Sequence, residues 1–255
     1  MQLEQELRAK LASKNDILLM THLVLGYPSL AVNREVIGQM VAAGVDIIEL
    51  QIPFSEPVAD GPVILKANQE AINSGIRLKE CLEFAAEMAA THPIPFLFMT
   101  YYNILFKYGV ERFLEQTRAA GLRGLIIPDL PPEEGEEYLA GCRRLDLAPI
   151  QIFAPTSSDD RMNYLAGQGG GFIYCVARRG VTGARTSFDQ EFDHYIRRCR
   201  RATRLPLAVG FGISNGRDVE MLRGKAEIAV IGSATIRLVE EQGPAAVGPF
   251  IRSLR

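Results

Sequence analysis

Two acids and three sets of glycines are the residues whose types and spacing could do chemistry in this chain. Glu49 lies in the apolar run VDIIELQIPF (45–54), and Asp60 lies in the loop PFSEPVADGP just beyond it. Two carboxylates that converge on one cavity can divide acid and base roles when their surroundings differ. Glu56 is a third acid in the same loop, which Pro53, Pro57 and Pro62 stiffen and Gly61 relieves. Alone, Asp60 before Gly61 would be no more than a turn former; its nearness to Glu49 gives it chemical weight. Farther along come Gly180 and Gly183 in ARRGVTGA, then Gly210-Phe211-Gly212, then Gly232-Ser233. Glycine lets backbone N–H groups approach an anion closely, and a helix opening at Ser233 adds unpaired donors. Together these glycines form a candidate phosphate cradle.

Such residues need a scaffold that brings them to one mouth. Eight short apolar runs bounded by turn residues fall at 17–26, 45–54, 95–103, 122–130, 147–155, 171–177, 205–212 and 226–234. Each has strand length and the Ile, Val, Phe or Tyr content of a strand buried on both faces. Stretches of helical period lie between them, among them Val32 to Ala43, Leu78 to Ala90, Val110 to Ala120, Glu133 to Leu145, Phe188 to Ala202 and Asp218 to Arg223. Crossover helices make successive strands parallel. The expectation is therefore an α/β fold, a (β/α)8 TIM barrel occupying residues 1–255 as a single domain. No GxGxxG follows the first run, as a dinucleotide-binding sheet would want. At the N-terminus Leu3, Leu7 and Leu11 recur every four positions, one stripe of an amphipathic helix.

A barrel of this kind carries its active site at the C-terminal ends of its strands. Side chains alternate along a strand, so Ile48, Leu50 and Ile52 should face the helices while Glu49 and Gln51 point inward. An interior carboxylate there is costly unless it is paired or takes up a proton, so Glu49 is either a structural, hydrogen-bonded acid or a catalytic one. Its place at a strand end favours catalysis. The loops after strands seven and eight are the usual phosphate site of such a barrel, where Gly212, Gly232 and Ser233 fall.

Composition narrows the chemistry. With 28 basic and 30 acidic residues the net charge is −2, which gives no footprint for nucleic acid and no polybasic anchor for a membrane. No apolar run approaches the ~20 residues of a membrane span, and the charged N-terminus is not a secretory leader, so a cytoplasmic protein is expected. Cys81, Cys142, Cys175 and Cys199 have neither zinc nor dithiol spacing and are expected as reduced, buried thiols. None of the lysines ends a strand, which disfavours a Schiff-base aldolase. His22, His92 and His194 are scattered, and no metal cluster is visible. His22, the one in a strand, is either a ligand or base or a hydrogen-bonded residue lining the barrel. The arginines of IRRCRRATR (196–204) fit a solvated outer helix face. What remains is proton transfer by carboxylates on a small phosphorylated substrate, and a C–C cleavage would need a substrate carrying its own electron sink.

The blocks IELQIPFSEPVADGP (48–62), Ala67-Asn68, YYN (101–103), RRGVTGA (178–184), GFGIS (210–214) and GSA (232–234) occur in an order that resembles the tryptophan synthase α-subunit family. The resemblance implies a lyase that splits indole-3-glycerol phosphate into indole and glyceraldehyde 3-phosphate. It implies no cofactor and no metal of its own, because protonation at indole C3 makes the ring the electron sink. It also implies an α2β2 heterotetramer with a pyridoxal-phosphate β subunit that receives the indole. Carried over residue by residue, Glu49 is the proton donor to C3 and assists deprotonation of the glycerol hydroxyl. Asp60 accepts the indole N–H. Tyr101 and Tyr174 line the pocket, Thr182 holds Asp60 as a lid closes, and Gly183, Gly212, Gly232 and Ser233 take the phosphate beside Phe211. Four positions depart from the family's usual pattern: His22 replaces an aromatic residue, Tyr27 an Asp, Gln51 a Gly and Glu56 an Asp. Two alternatives stay open within the resemblance: a stand-alone lyase that frees indole, and a weakly catalytic subunit that activates a β partner.

Overall fold

The computed structural model describes residues 1–177, 185–210 and 212–255, without the side chains of residues 185–189. Helix α1 (Gln2–Lys14) leads into β1 (Leu18–Val24), α2 (Leu30–Ala42) and β2 (Ile47–Gln51). Two helices follow, α3 (Pro62–Asn73) and α4 (Leu78–Thr91), then β3 (Phe96–Met99), α5 (Tyr102–Tyr108) and α6 (Val110–Ala119). The chain continues through β4 (Gly124–Ile126), α7 (Glu136–Leu145), β5 (Ala148–Phe153), α8 (Asp159–Gln168) and β6 (Ile173–Val176). It ends with α9 (Arg185–Ala202), β7 (Leu207–Gly210), α10 (Gly216–Glu220), β8 (Ile228–Ile231), α11 (Ser233–Gln242) and α12 (Val247–Arg252). Every strand pairs in parallel with the next and β8 closes on β1, completing a (β/α)8 barrel.

Each apolar run of the sequence holds one strand. The fourth run delivers only the three residues of β4, because Pro128 in the middle of it has no N–H to give a ladder. Helix α7 starts at Glu136 rather than Glu133, because Pro131 and Pro132 open a turn whose carbonyls take the N–H groups of Glu134 and Gly135.

Alternation along the strands divides the core into two layers. Ile48 and Leu50 of β2, and Ile52 just beyond it, pack outward with Leu19, Phe98 and Val209 against the helices. Ile47 points inward with Met20, Leu97, Ile126, Ile150 and Ile228, filling the barrel floor. Helix α1 covers the base: Leu3 and Leu7 join the interior layer, and Leu11 packs beside them. This plug sits so close that a Cβ at Gly171, which has φ +72°, would come 2.7 Å from Cδ2 of Leu3. The buried Asp46 accepts from Leu19 N at 3.0 Å and from Arg255 Nη2 at 2.9 Å, and pairs with Lys14. That arrangement meets the cost of a buried charge and ties both chain ends to the barrel base.

The four cysteines are buried and unbridged. On α9, Arg198 pairs with Asp159 at 2.6 Å and Arg200 with Glu227 at 2.5 Å, so this basic cluster is in part neutralised on the outer face. Among the described residues, no helix is long and apolar enough to cross a membrane.

Candidate active site

Above the apolar floor the interior turns polar. The parallel register sets His22 of β1 level with Glu49 of β2, and both side chains face inward, 4% and 3% exposed. His22 Nδ1 lies 2.9 Å from Glu49 Oε1. The other carboxylate oxygen, Oε2, is buried and makes no hydrogen bond among the described residues. A buried acid oxygen left without a partner is rare and marks a candidate site.

Asp60 arrives from the loop after β2. Proline at the first position of α3 suits a helix start, and Asp60 stands two residues ahead of it. The loop is pinned from below by Asn68 of α3, fully buried, whose Oδ1 accepts from Phe54 N at 2.9 Å while its Nδ2 donates to Ile64 O at 2.8 Å. Tyr101, also fully buried, stacks on Phe54 with ring centroids 5.0 Å apart. Its hydroxyl accepts from Ala59 N at 3.1 Å and donates to Asp60 Oδ2 at 3.2 Å. Gln51 Nε2 donates to the same oxygen at 2.7 Å. The sequence places the Gln51 amide beside Glu49; in the structure it is committed to Asp60, because the loop folds back over the end of β2.

Burial pushes the Asp60 carboxyl above its ordinary range, and the repulsion of Glu49 adds to this. The amide of Gln51, the nearby His22 and the hydroxyl of Tyr101 pull the other way without cancelling it. Tyr174 on β6 is raised well above a free tyrosine, by burial first and then by Glu49 and Asp60. It therefore stays a neutral hydrogen-bonding group facing the two acids. Gly210 makes room for it: a Cβ there would stand 3.2 Å from the Tyr174 hydroxyl.

Across the mouth, α11 begins at Ser233 behind Gly232, which has no side chain to cap the first turn. Gly212 at the end of β7 has φ +84°, a conformation that favours glycine. Among the described residues, a Cβ built at Gly212 or Gly232 would meet nothing within 4 Å. Helix N–H donors beside two glycines are what an anion needs.

Thus the structure brings Glu49, Asp60, Tyr101 and Tyr174 to the barrel mouth, and it places Gly212, Gly232 and Ser233 at the ends of β7 and β8. Thr182, Gly183 and Phe211, with Gly180, lie outside the described residues. The sequence reading sets Gln51 beside Glu49 and gives Asn68 no role. Gln51 holds Asp60, and Asn68 fixes the loop; a buried asparagine on the inner face of α3 is the signal that could have found the second. Of the departures, Glu56 is exposed, and Tyr27 bonds through its hydroxyl to Glu240 of α11, which also takes Lys66 at 2.8 Å.

A closed (β/α)8 barrel with two acids at its C-terminal mouth and a glycine-lined helix start opposite is the arrangement expected of a phosphate-binding barrel enzyme of the acid–base type. The model of the family described as "Tryptophan synthase alpha chain" matches residues 8–248. The tryptophan synthase alpha chain of Desulfotalea psychrophila is 64% identical over 255 residues, all of both chains. A chain in a crystal structure of tryptophan synthase from M. tuberculosis superposes with a TM-score of 0.90 at 27% identity, covering 99% of this chain and 96% of that one. A chain of the tryptophan synthase complex from Pyrococcus furiosus gives 0.85 at 28% identity, covering 94% and 98%. The chain belongs to the tryptophan synthase alpha chain family, and as a member it is a lyase that cleaves indole-3-glycerol phosphate.

Proposed function

We propose that Glu49 and Asp60 are the catalytic pair of this lyase. Glu49, through Oε2, gives a proton to indole C3. The ring becomes cationic, and Asp60 stabilises that charge by accepting the indole N–H. The bond from C3 to the glycerol side chain then breaks, its electron pair returns to the ring, and the glycerol hydroxyl loses its proton as the aldehyde forms. Glu49, now a carboxylate, takes that proton, so the enzyme ends as it began. Tyr101 holds Asp60 and Tyr174 borders the ring. Gly212, Gly232 and Ser233 grip the phosphate, with Thr182, Gly183 and Phe211 assigned to the same pocket.

The observation that carries this reading is the pair of inward acids at one mouth, each anchored through one oxygen by a neighbouring side chain. Acid–base assistance of this kind contributes about 10²–10⁴-fold in rate. The solved Pyrococcus furiosus relative is a tryptophan synthase complex. By extension this chain works in the cytoplasm with a pyridoxal-phosphate β subunit as an α2β2 assembly, and no cofactor of its own enters the scheme. Indole release from indole-3-glycerol phosphate, measured with and without a β subunit, tests it. Turnover by the isolated chain that rises on adding β is expected. High turnover indifferent to β would point to the stand-alone lyase, and no turnover in either condition would overturn the assignment.

A further inference from the structure

His22 anchors Glu49 but takes no step in the chemistry above. His22 meets Glu49 through Nδ1, while its Nε2 is buried without a hydrogen bond among the described residues. Gln51 Oε1 is in the same condition, although Gln51 Nε2 is bonded to Asp60. His22 and Gln51 therefore stand between the two acids, and each touches one of them.

We propose that His22 is a positioning residue for Glu49: Nδ1–H donated to Oε1 turns Oε2 toward the substrate, and the imidazole stores the proton that the pair must keep. The inference rests on Glu49 being the acid at C3. With Nδ1–H on Oε1, the acid proton can reside only on Oε2, the oxygen without a partner. When Oε2 has given it up, the same N–H stabilises the carboxylate until the glycerol hydroxyl returns a proton.

Electrostatics support this arrangement. Burial opposes a charge on His22, but the charge and hydrogen bond of Glu49 outweigh it, helped by Asp60 and Gln51, so His22 holds its proton above the ordinary imidazole value. The titratable groups acting on it are Glu49 from β2 and Asp60 from the following loop. On the other flank Thr235 of α11 reaches the His22 carbonyl at 3.4 Å and adds no charge. Tyr174 of β6 faces the same two acids as a neutral group. The stored proton is lost only as pH rises through the raised His22 value.

The test is the pH profile of kcat for indole release by the full chain, wild type against His22→Phe and His22→Asn. His22→Phe removes donor and store together; kcat should fall about 10- to 100-fold, the size of one lost bond to a charged group, with KM little changed. Its basic limb should move to lower pH. His22→Asn restores a donor but no titratable nitrogen, so most of the plateau kcat should return while the limb stays displaced. A His22→Phe enzyme with wild-type kcat and limb overturns the proposal, provided Glu49→Gln is inactive; a Glu49→Gln enzyme with wild-type turnover sinks the reading of Glu49 itself. Nitrogen-15 titration of the histidines in wild type and Glu49→Gln covers a variant that fails to fold. The His22 pKa should drop in Glu49→Gln, and an unchanged value contradicts the pairing.

Discussion

Asp60 shows how one side chain's surroundings set its usefulness. Its ordinary pKa would be ~3.9, and burial lifts it above that while Gln51 and Tyr101 restrain the rise. A group with a raised folded-state value adds stability below its unfolded value and loses it as pH rises through the folded one. The ionised Asp60 that the reaction requires is thus a form the fold tolerates rather than favours. Activity, which needs that form, should fall on the acid side with a limb above the usual carboxylate range. Gln51→Ala removes the strongest group favouring ionisation, so the acid limb of kcat/KM should move to higher pH. A limb that stays in place or moves down in a pH series would contradict the assigned role of Gln51. Glu49 and Asp60 were legible in the sequence because strand alternation and the barrel's polarity follow from local pattern. The partners of these acids were not. His22 meets Glu49 only because β1 and β2 pair in that register, and Gln51 reaches Asp60 only because the loop folds back; neither is encoded by neighbours in the chain.

At the scale of elements, the junction of β8 and α11 is the part most open to a direct test. Among the described residues, no side chain caps the start of helix α11 and nothing stands within 4 Å of a Cβ built at Gly232. Gly232→Asp therefore has room for its side chain and should fold, but it would set a negative charge, itself a good N-cap, where the phosphate is expected. We predict a rise in KM for indole-3-glycerol phosphate of at least about tenfold, equivalent to ~1.4 kcal/mol, with thermal stability kept. Unchanged affinity would remove the phosphate from this site. The elements themselves were largely readable: each apolar run carries a strand, and helix bounds such as Leu78–Thr91 lie within a residue or two of the periodic stretch. Where they shifted, as at Pro131-Pro132 before α7, a turn took the backbone groups that a helix would have used.

Over the whole molecule, stability and reaction occupy different levels of one barrel. The floor is apolar, filled by residues such as Met20, Leu97 and Ile228 and closed from below by Leu3 and Leu7 of α1. The mouth holds the polar groups, and these are bonded to one another rather than into the floor. Replacing either acid by its amide keeps volume and leaves an oxygen to accept the existing bond from His22 or Gln51. The fold should therefore survive changes that stop the chemistry. A barrel whose plug and latch lie at the base, remote from the loops, can carry departures such as Gln51 and His22 at the mouth without loss of architecture.

The most direct measurement is kcat for indole release by Glu49→Gln and by Asp60→Asn beside wild type, with circular dichroism melts of all three. Each variant should lose about 10²–10⁴-fold in kcat while melting as a folded barrel. Near-normal indole release by a folded Glu49→Gln enzyme would contradict the account at its centre.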